Sequence, residues 1–409
     1  MIISNLISII LWALHVSTVV GDGIPKDPRR NPRREPLPLC KTCIPWEQIT
    51  APGVGIHLSI GYGLAAVKLD DGSFIDVAKV DANPEYLSFM RQKAKEVPED
   101  PGRDYTWREI LQIRLQAIKR RYRKLMGQPG TPEAGSIADL IKSLLVETEL
   151  ELGLNNPLTG VALSVPFLPD RVPIVEYLED AAEYLGIKIL RSANLFAPLR
   201  EFGSAYAAMG FGLCEHYRDY EECEFEDTNL THKDVLGVSF NDASVSVYCG
   251  RNRNARYSIA YEGVQEPSLG HNSLQAGNSK AYWKEIKDLI VSVGKVQLLE
   301  CRWRPEVMLI MGDAVDAVTE DLTRTVREAL QELFPGDTHL PLGDVQVAFP
   351  EKDKNHYLYL PARGTAEFAR RFQGQPFGCV ESLECRANRP GANKTDANIK
   401  GQILVQGGH

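Results

Sequence analysis

Short apolar blocks separated by turn residues open the folded part of the chain. Residues 55–59 form one block, Gly61-Tyr62-Gly63 reads as a turn, and residues 64–70 form a second block. Asp70-Asp71-Gly72 is a hairpin signal and residues 73–80 a third block, so the pattern predicts three strands joined by tight turns. Helical spacing then takes over. It predicts helices over residues 85–97, 105–126 and 136–152, the second closed by Gly127 and Pro129. A strand over 160–165, a helix over 172–185 closed by Gly186, a short strand over 187–190 and a small-residue helix over 201–213 follow.

A stretch over 214–233 is acidic and includes Cys214 and Cys223. The opening pattern then recurs: a strand over 235–240, the turn Asn241-Asp242-Ala243, and strands over 244–249 and 256–262. A helix over 279–293, a strand over 307–311 and a helix over 314–334 complete the second half, and the last thirty or so residues read as irregular. Strands alternating with helices in two halves, each opened by a strand-turn-strand-turn-strand unit, imply an α/β protein with an internal repeat.

Composition adds a compartment. The chain has 409 residues, 44% hydrophobic and 24% charged, which suits a globular protein. A net charge of -8 argues against a nucleic-acid binder. Residues 6–20 are almost unbroken in apolar character, and Val19-Val20-Gly21 supplies small residues, so residues 1–21 read as a secretory signal peptide. No later segment is long and apolar enough to span a bilayer, so no membrane span is expected after its removal. Residues 22–53 read as a basic, Pro-rich leader with Arg29-Arg30 and Arg33-Arg34, which suit a dibasic processing protease and a solvated linker equally. Eight cysteines and the sequons at Asn229 and Asn393 fit an oxidising lumen and a secreted glycoprotein. Cys40-Lys41-Thr42-Cys43 favours a structural role over redox catalysis. The short separations favour local bridges Cys214–Cys223 and Cys379–Cys385. In the helix over 105–126, Leu111, Leu115, Ile118, Tyr122 and Leu125 share a face. Arg114, Lys119, Arg120, Arg121, Arg123 and Lys124 make the remainder basic, which suits a solvated face or an acidic partner.

Six segments, GIHLSIGYG (55–63), LSVP (163–166), AAEYLGIKILR (181–191), 201–212, 235–247 and LIMGDA (309–314), lie in order over roughly residues 54–372, and together they resemble the nucleotide-binding domain of the seventy-kilodalton heat-shock proteins. Residues 55–63 (GIHLSIGYG) resemble its first phosphate hairpin, and residues 163–166 (LSVP) its T-V-P strand end. Residues 181–191 (AAEYLGIKILR) resemble its A-G-x-x-A-G-L-x-V-L-R segment, and residues 201–212 its connecting helix, with Glu201, Ala205, Ala207 and Gly210 in register. Residues 235–247 resemble the second phosphate hairpin and residues 309–314 (LIMGDA) the adenosine motif. The resemblance implies an actin-like ATPase fold, two related lobes around a nucleotide cleft, with lobes at 54–213 and 214–372 and an irregular Cys-containing tail at 373–409. It implies ATP or ADP as ligand.

The departures from that family decide the functional reading. Its hairpin acids, which hold magnesium and its waters, are replaced here by His57 and Ser239, neither a fixed negative charge. Ser59 stands for one phosphate-loop glycine, and Asn241-Asp242-Ala243 for a run of three. The residues left to line a nucleotide site are Ser59, Gly61, Tyr62, Gly63, Glu201, Asn241, Asp242, Ser244, Gly312 and Asp313. No catalytic residue and no magnesium ligand is assigned. The leading expectation is a pseudo-ATPase that binds a protein partner and at most weakly binds nucleotide. The alternatives are an active ATPase or phosphotransferase with His57, Asp242 and Asp313 sharing the metal, and a secreted, disulfide-braced binding protein without nucleotide.

Overall fold

The computed structural model describes residues 38–96, 105–154, 157–168, 172–191, 198–256, 258–274, 278–301, 303–335, 346–347, 356–374, 379–382 and 384–385. The signal segment, the paired arginines and the Asn393 sequon lie outside these residues.

A short helix, α1 (Trp46–Thr50), precedes the antiparallel meander β1 (Gly53–Leu58), β2 (Tyr62–Lys68) and β3 (Phe74–Asp81). Helices α2 (Pro84–Lys95), α3 (Trp107–Leu125) and α4 (Pro132–Glu151) follow. Each is started by a polar cap: the Asn83, Thr106 and Thr131 side chains accept from the backbone of Tyr86, Glu109 and Ala134. This crossover lets β4 (Gly160–Val165) lie parallel to β1. Next come α5 (Val172–Leu185), the short β5 (Lys188–Ile189) and β6 (Leu199–Arg200), then α6 (Glu201–Ala208) and α7 (Tyr220–Asn229). The second sheet repeats the plan with β7 (Lys233–Phe240), β8 (Val245–Asn252) and β9 (Ser258–Glu266). Helices α8 (His271–Leu274) and α9 (Ser279–Cys301) lead to β10 (Val307–Met311), parallel to β7. Then come α10 (Val315–Leu333), β11 (Gln346–Val347) and α11 (His356–Gly374).

Strand order in the first sheet is β3-β2-β1-β4-β5, with β6 also paired to β4; in the second it is β9-β8-β7-β10-β11. Counted from the first strand of each, the orders are the same. The protein is thus α/β with two mixed sheets.

Side-chain size along the strands explains the layering. In β1, Val54, Ile56 and Leu58 point to a core shared with α2, α4 and α5. The alternate residues are Gly53, Gly55 and His57. In β7, Leu236, Val238 and Phe240 point to a core shared with α9 and α10, while Gly237 and Ser239 take the other face. The faces that carry small residues look toward each other, and α6 and α11 lie between them, packed through Phe202, Tyr206, Leu360 and Phe368. A Cβ on Gly55 would lie 2.1 Å from the Ala366 backbone nitrogen of α11, so glycine is what admits the helix. Inside α11, Pro361 supplies no N–H and releases the Tyr357 carbonyl, which accepts from the Gly312 N–H at 3.3 Å instead.

Several sequence expectations are corrected. Helix α6 stops at Ala208 because Gly210 takes a φ of +81°, and the Gly210 and Phe211 N–H groups cap the Ala207 and Tyr206 carbonyls. The acidic stretch contains α7, started by Asp219. Helix α9 runs past Val293 to Cys301. The strongest omission is α11, which the sequence pattern did not predict. Cys214–Cys223 is present, but Cys379 and Cys385 do not pair with each other. Cys40 bonds Cys379 and Cys43 bonds Cys385, so the CKTC segment is stapled to the tail. Loop length alone could not see this, because Leu39 already bridges Val380 in the fold and brings the four cysteines together. The described end of the leader is therefore structured: Ile49 is buried, and Gly53 belongs to β1. Cys249 is a buried free thiol.

Candidate functional site

The turns β1–β2 and β7–β8 are equivalent residue for residue. Leu58 pairs with Gly63 and Phe240 with Val245. Each connecting loop closes with a bond from its first N–H to its last carbonyl, Ser59 to Tyr62 at 2.8 Å and Asn241 to Ser244 at 2.9 Å. The two loops meet: a Cβ on Gly61 would lie 3.0 Å from the Ala243 methyl. Tyr62 Oη donates to Asn241 Oδ1 at 2.7 Å, and both residues are buried.

Asn241 is the centre of this seam. Its Oδ1 also accepts from the Asp313 N–H at 3.3 Å, and its Nδ2 donates to Ser239 Oγ at 3.0 Å. Gly312 precedes with φ +122°, where a Cβ would meet the Phe240 carbonyl oxygen at 2.1 Å, so only glycine fits. Asp313 accepts from the Asp242 N–H at 2.9 Å and pairs with Lys79 at 3.0 Å. Asp242 is exposed, and its carboxylate lies 3.2 Å from His271 Nδ1. Burial, with Asp313 beside it, holds the Tyr62 hydroxyl far above its ordinary range, so it is a hydrogen-bond donor.

His57 does not reach this seam. Its Nδ1 lies 3.0 Å from Ser164 Oγ, which is 2.7 Å from Thr365 Oγ1 of α11. Burial lowers its pKa to about 3, so the ring is neutral. Glu201 and Ser244 are buried nearby. Glu201 Oε1 accepts from the Phe167 N–H at 3.1 Å and lies 2.9 Å from Ser246 Oγ, itself 2.9 Å from Gln265 Oε1. A hydroxyl has one proton, so Ser246 serves one of these acceptors at a time. Desolvation raises the Glu201 carboxyl from 4.5 to about 7.

The fold thus gathers Tyr62, Asn241, Asp242 and Asp313 into one contact set, with Ser59, Gly61, Gly63, Ser244 and Gly312 shaping the backbone. Glu201 stands with Ser246 and is joined to the Asn241 set through Ser239. The sequence reading did not single out Lys79, Ser246, Gln265 or His271. A signal existed for Ser246: it is a polar residue between Val245 and Val247 in a predicted apolar strand. Among the described residues, two groups have metal-ligand proximity, Cys214-Cys223-Asp227 and His216-Glu222-Glu226. The first is spent in a disulfide, and neither includes a hairpin residue.

Glu201 makes stability pH-dependent in a defined direction. Its folded pKa lies above its unfolded one, so between pH 4.5 and about 7 the folded state binds the extra proton. Stability therefore falls across that window, by about 3 kcal/mol once the group ionises in both states. Glu201→Gln is expected to remove this component. The check is the difference in denaturant midpoint between parent and variant across pH 4.5–7; a constant difference contradicts the assignment.

No protein-family model matches the chain, and no curated protein matches it.

Proposed function

We propose that the chain is a heat-shock-chaperone-like, actin-fold protein of the secretory pathway, a pseudo-ATPase that serves protein interaction and binds ATP or ADP weakly or not at all. Two sheets of one strand order, packed through α6 and α11 with their first hairpins tip to tip, support the fold assignment. The observation that carries the functional reading is the buried Tyr62–Asn241 bond, which joins the two hairpin tips directly. A polyphosphate cradle needs open backbone N–H groups and a cation held by fixed acids. Here neutral His57 and Ser239 occupy the positions that correspond to the family's hairpin acids, while Asp313 is engaged by Lys79. Three disulfides, an exposed Asn229 and the absence of a spanning helix among the described residues are compatible with the lumen or exterior.

Purified protein is expected to show a thermal midpoint that barely moves with Mg-ATP, and no turnover above buffer. A ligand at a hundredfold its Kd would add about 2.7 kcal/mol, so a real site is easily seen. A large shift with magnesium-dependent hydrolysis that Asp242→Ala abolishes would overturn the reading in favour of an active enzyme.

A further inference from the structure

Helix α3 is mounted the wrong way round for an ordinary amphipathic helix. Its polar side faces the protein: Arg120 pairs with Asp180 and Glu176 of α5, Lys124 reaches Glu183 at 2.6 Å, and Arg123 Nε donates to the Pro129 carbonyl at 2.9 Å. Its apolar side faces solvent. No residue of the helix is buried. Trp107 is 69% exposed, Ile118 61%, Tyr122 63% and Leu125 78%, with Leu111 and Leu115 about half exposed. Six large apolar side chains in one stripe are far more than the scattered exposure a monomer surface tolerates without a partner.

The spacing says what shape of partner fits. Leu111, Leu115, Ile118, Tyr122 and Leu125 are separated by four, three, four and three residues, the seam of a two-stranded coiled coil. Ile110 and Ile113 are also exposed, at 42% and 50%, but they stand singly outside this line; the unbroken four-three spacing is what favours a helix as the partner. The charges say what sequence fits. The helix carries seven basic side chains and one acid. Arg114 and Arg121 line one edge of the seam, and Lys119 with Gln112 the other; all four are exposed. A second copy of α3 would bring cation against cation along both edges, which disfavours self-pairing.

We propose that α3 is a docking element for an acidic amphipathic helix of a partner protein, aligned along the Leu111–Leu125 seam with carboxylates against Arg114, Lys119 and Arg121. This goes beyond the pseudo-ATPase reading: it uses no hairpin residue and is tested without nucleotide, so either can fail alone.

The test uses the full chain and a labelled synthetic helix with leucine at its seam positions and glutamate at the flanking ones. A matched peptide carries lysine in place of glutamate. The glutamate peptide is expected to bind at least about tenfold tighter and to weaken with salt. Leu115→Asp with Ile118→Asp is expected to abolish binding and leave the unfolding midpoint unchanged, since neither side chain is buried. Arg114→Glu with Arg121→Glu is expected to reverse the preference between the peptides. The proposal is overturned by equal binding of both peptides, or by binding of neither. It is also overturned by self-association through α3, or by flotation with phosphatidylserine-containing vesicles in place of peptide binding.

Discussion

Gly364→Ala is expected to destabilise the protein by about 3 kcal/mol or more. Two effects oppose each other at this position. Alanine is the better helix former by about 1 kcal/mol, and Gly364 lies inside α11. A Cβ there, however, would lie 1.6 Å from the carbonyl oxygen of Ser204 and 2.4 Å from its carbon. Both are backbone atoms of α6, so no side chain can swing aside. The helices must separate, and α11 is also held against β1, where a Cβ on Gly55 would lie 2.1 Å from the Ala366 backbone nitrogen. Separation opens the layer between the sheets, so sterics outweighs propensity. Gly72→Ala is the control. Nothing lies within 4 Å of its Cβ position, and only the φ of +89° opposes substitution, at about 1 kcal/mol. Denaturant midpoints of the two variants decide the matter. A Gly364→Ala protein as stable as the parent would contradict the described α6–α11 crossing.

Removing both terminal disulfides is expected to lower stability by about 5 kcal/mol or more, above the sum of the single removals at about 2 kcal/mol each. The bridges Cys40–Cys379 and Cys43–Cys385 have sequence separations of 339 and 342 residues. While either remains, the unfolded chain is still closed into nearly the same large loop, and deleting its neighbour frees only a short ring. Loss of both releases the whole loop at once, and the entropy of closure grows with the logarithm of its length. The comparison sets Cys40→Ala with Cys379→Ala, Cys43→Ala with Cys385→Ala, and all four together, unfolded in non-reducing buffer. Strict additivity would contradict the shared-loop account.

The first prediction concerns the α6–α11 layer between the sheets. The hairpin contact it accompanies is the observation on which the proposed scaffold reading rests. The Tyr62–Asn241 bond is worth about 1 kcal/mol net. The packing of α11 on β1, β2 and α6 sets the distance it spans.

The sequence by itself determined the local elements and their repetition. Turn chemistry at Gly61-Tyr62-Gly63 and Asn241-Asp242-Ala243 marked both hairpins, and apolar blocks marked β1, β2, β7 and β8, because these signals act within a few residues. The same locality made Asn241 and Asp242 recognisable as hairpin-loop residues, whereas Ser59, read as the end of the first strand block, proved to open the loop. Tertiary structure alone decided the rest. Helix α11 escaped notice because Pro361 and Gly364 are breakers by propensity, yet a carbonyl acceptor change at Tyr357 and a close crossing at Ser204 accommodate both. The α3 stripe had the period of a core helix, but α5 offers it Glu176, Asp180 and Glu183, so the basic side docks and the apolar side is left out. The disulfide partners of Cys40 and Cys43 depend on where β1 and α11 carry the chain ends. Partner choice across more than three hundred residues is a property of packing, which no local pattern encodes.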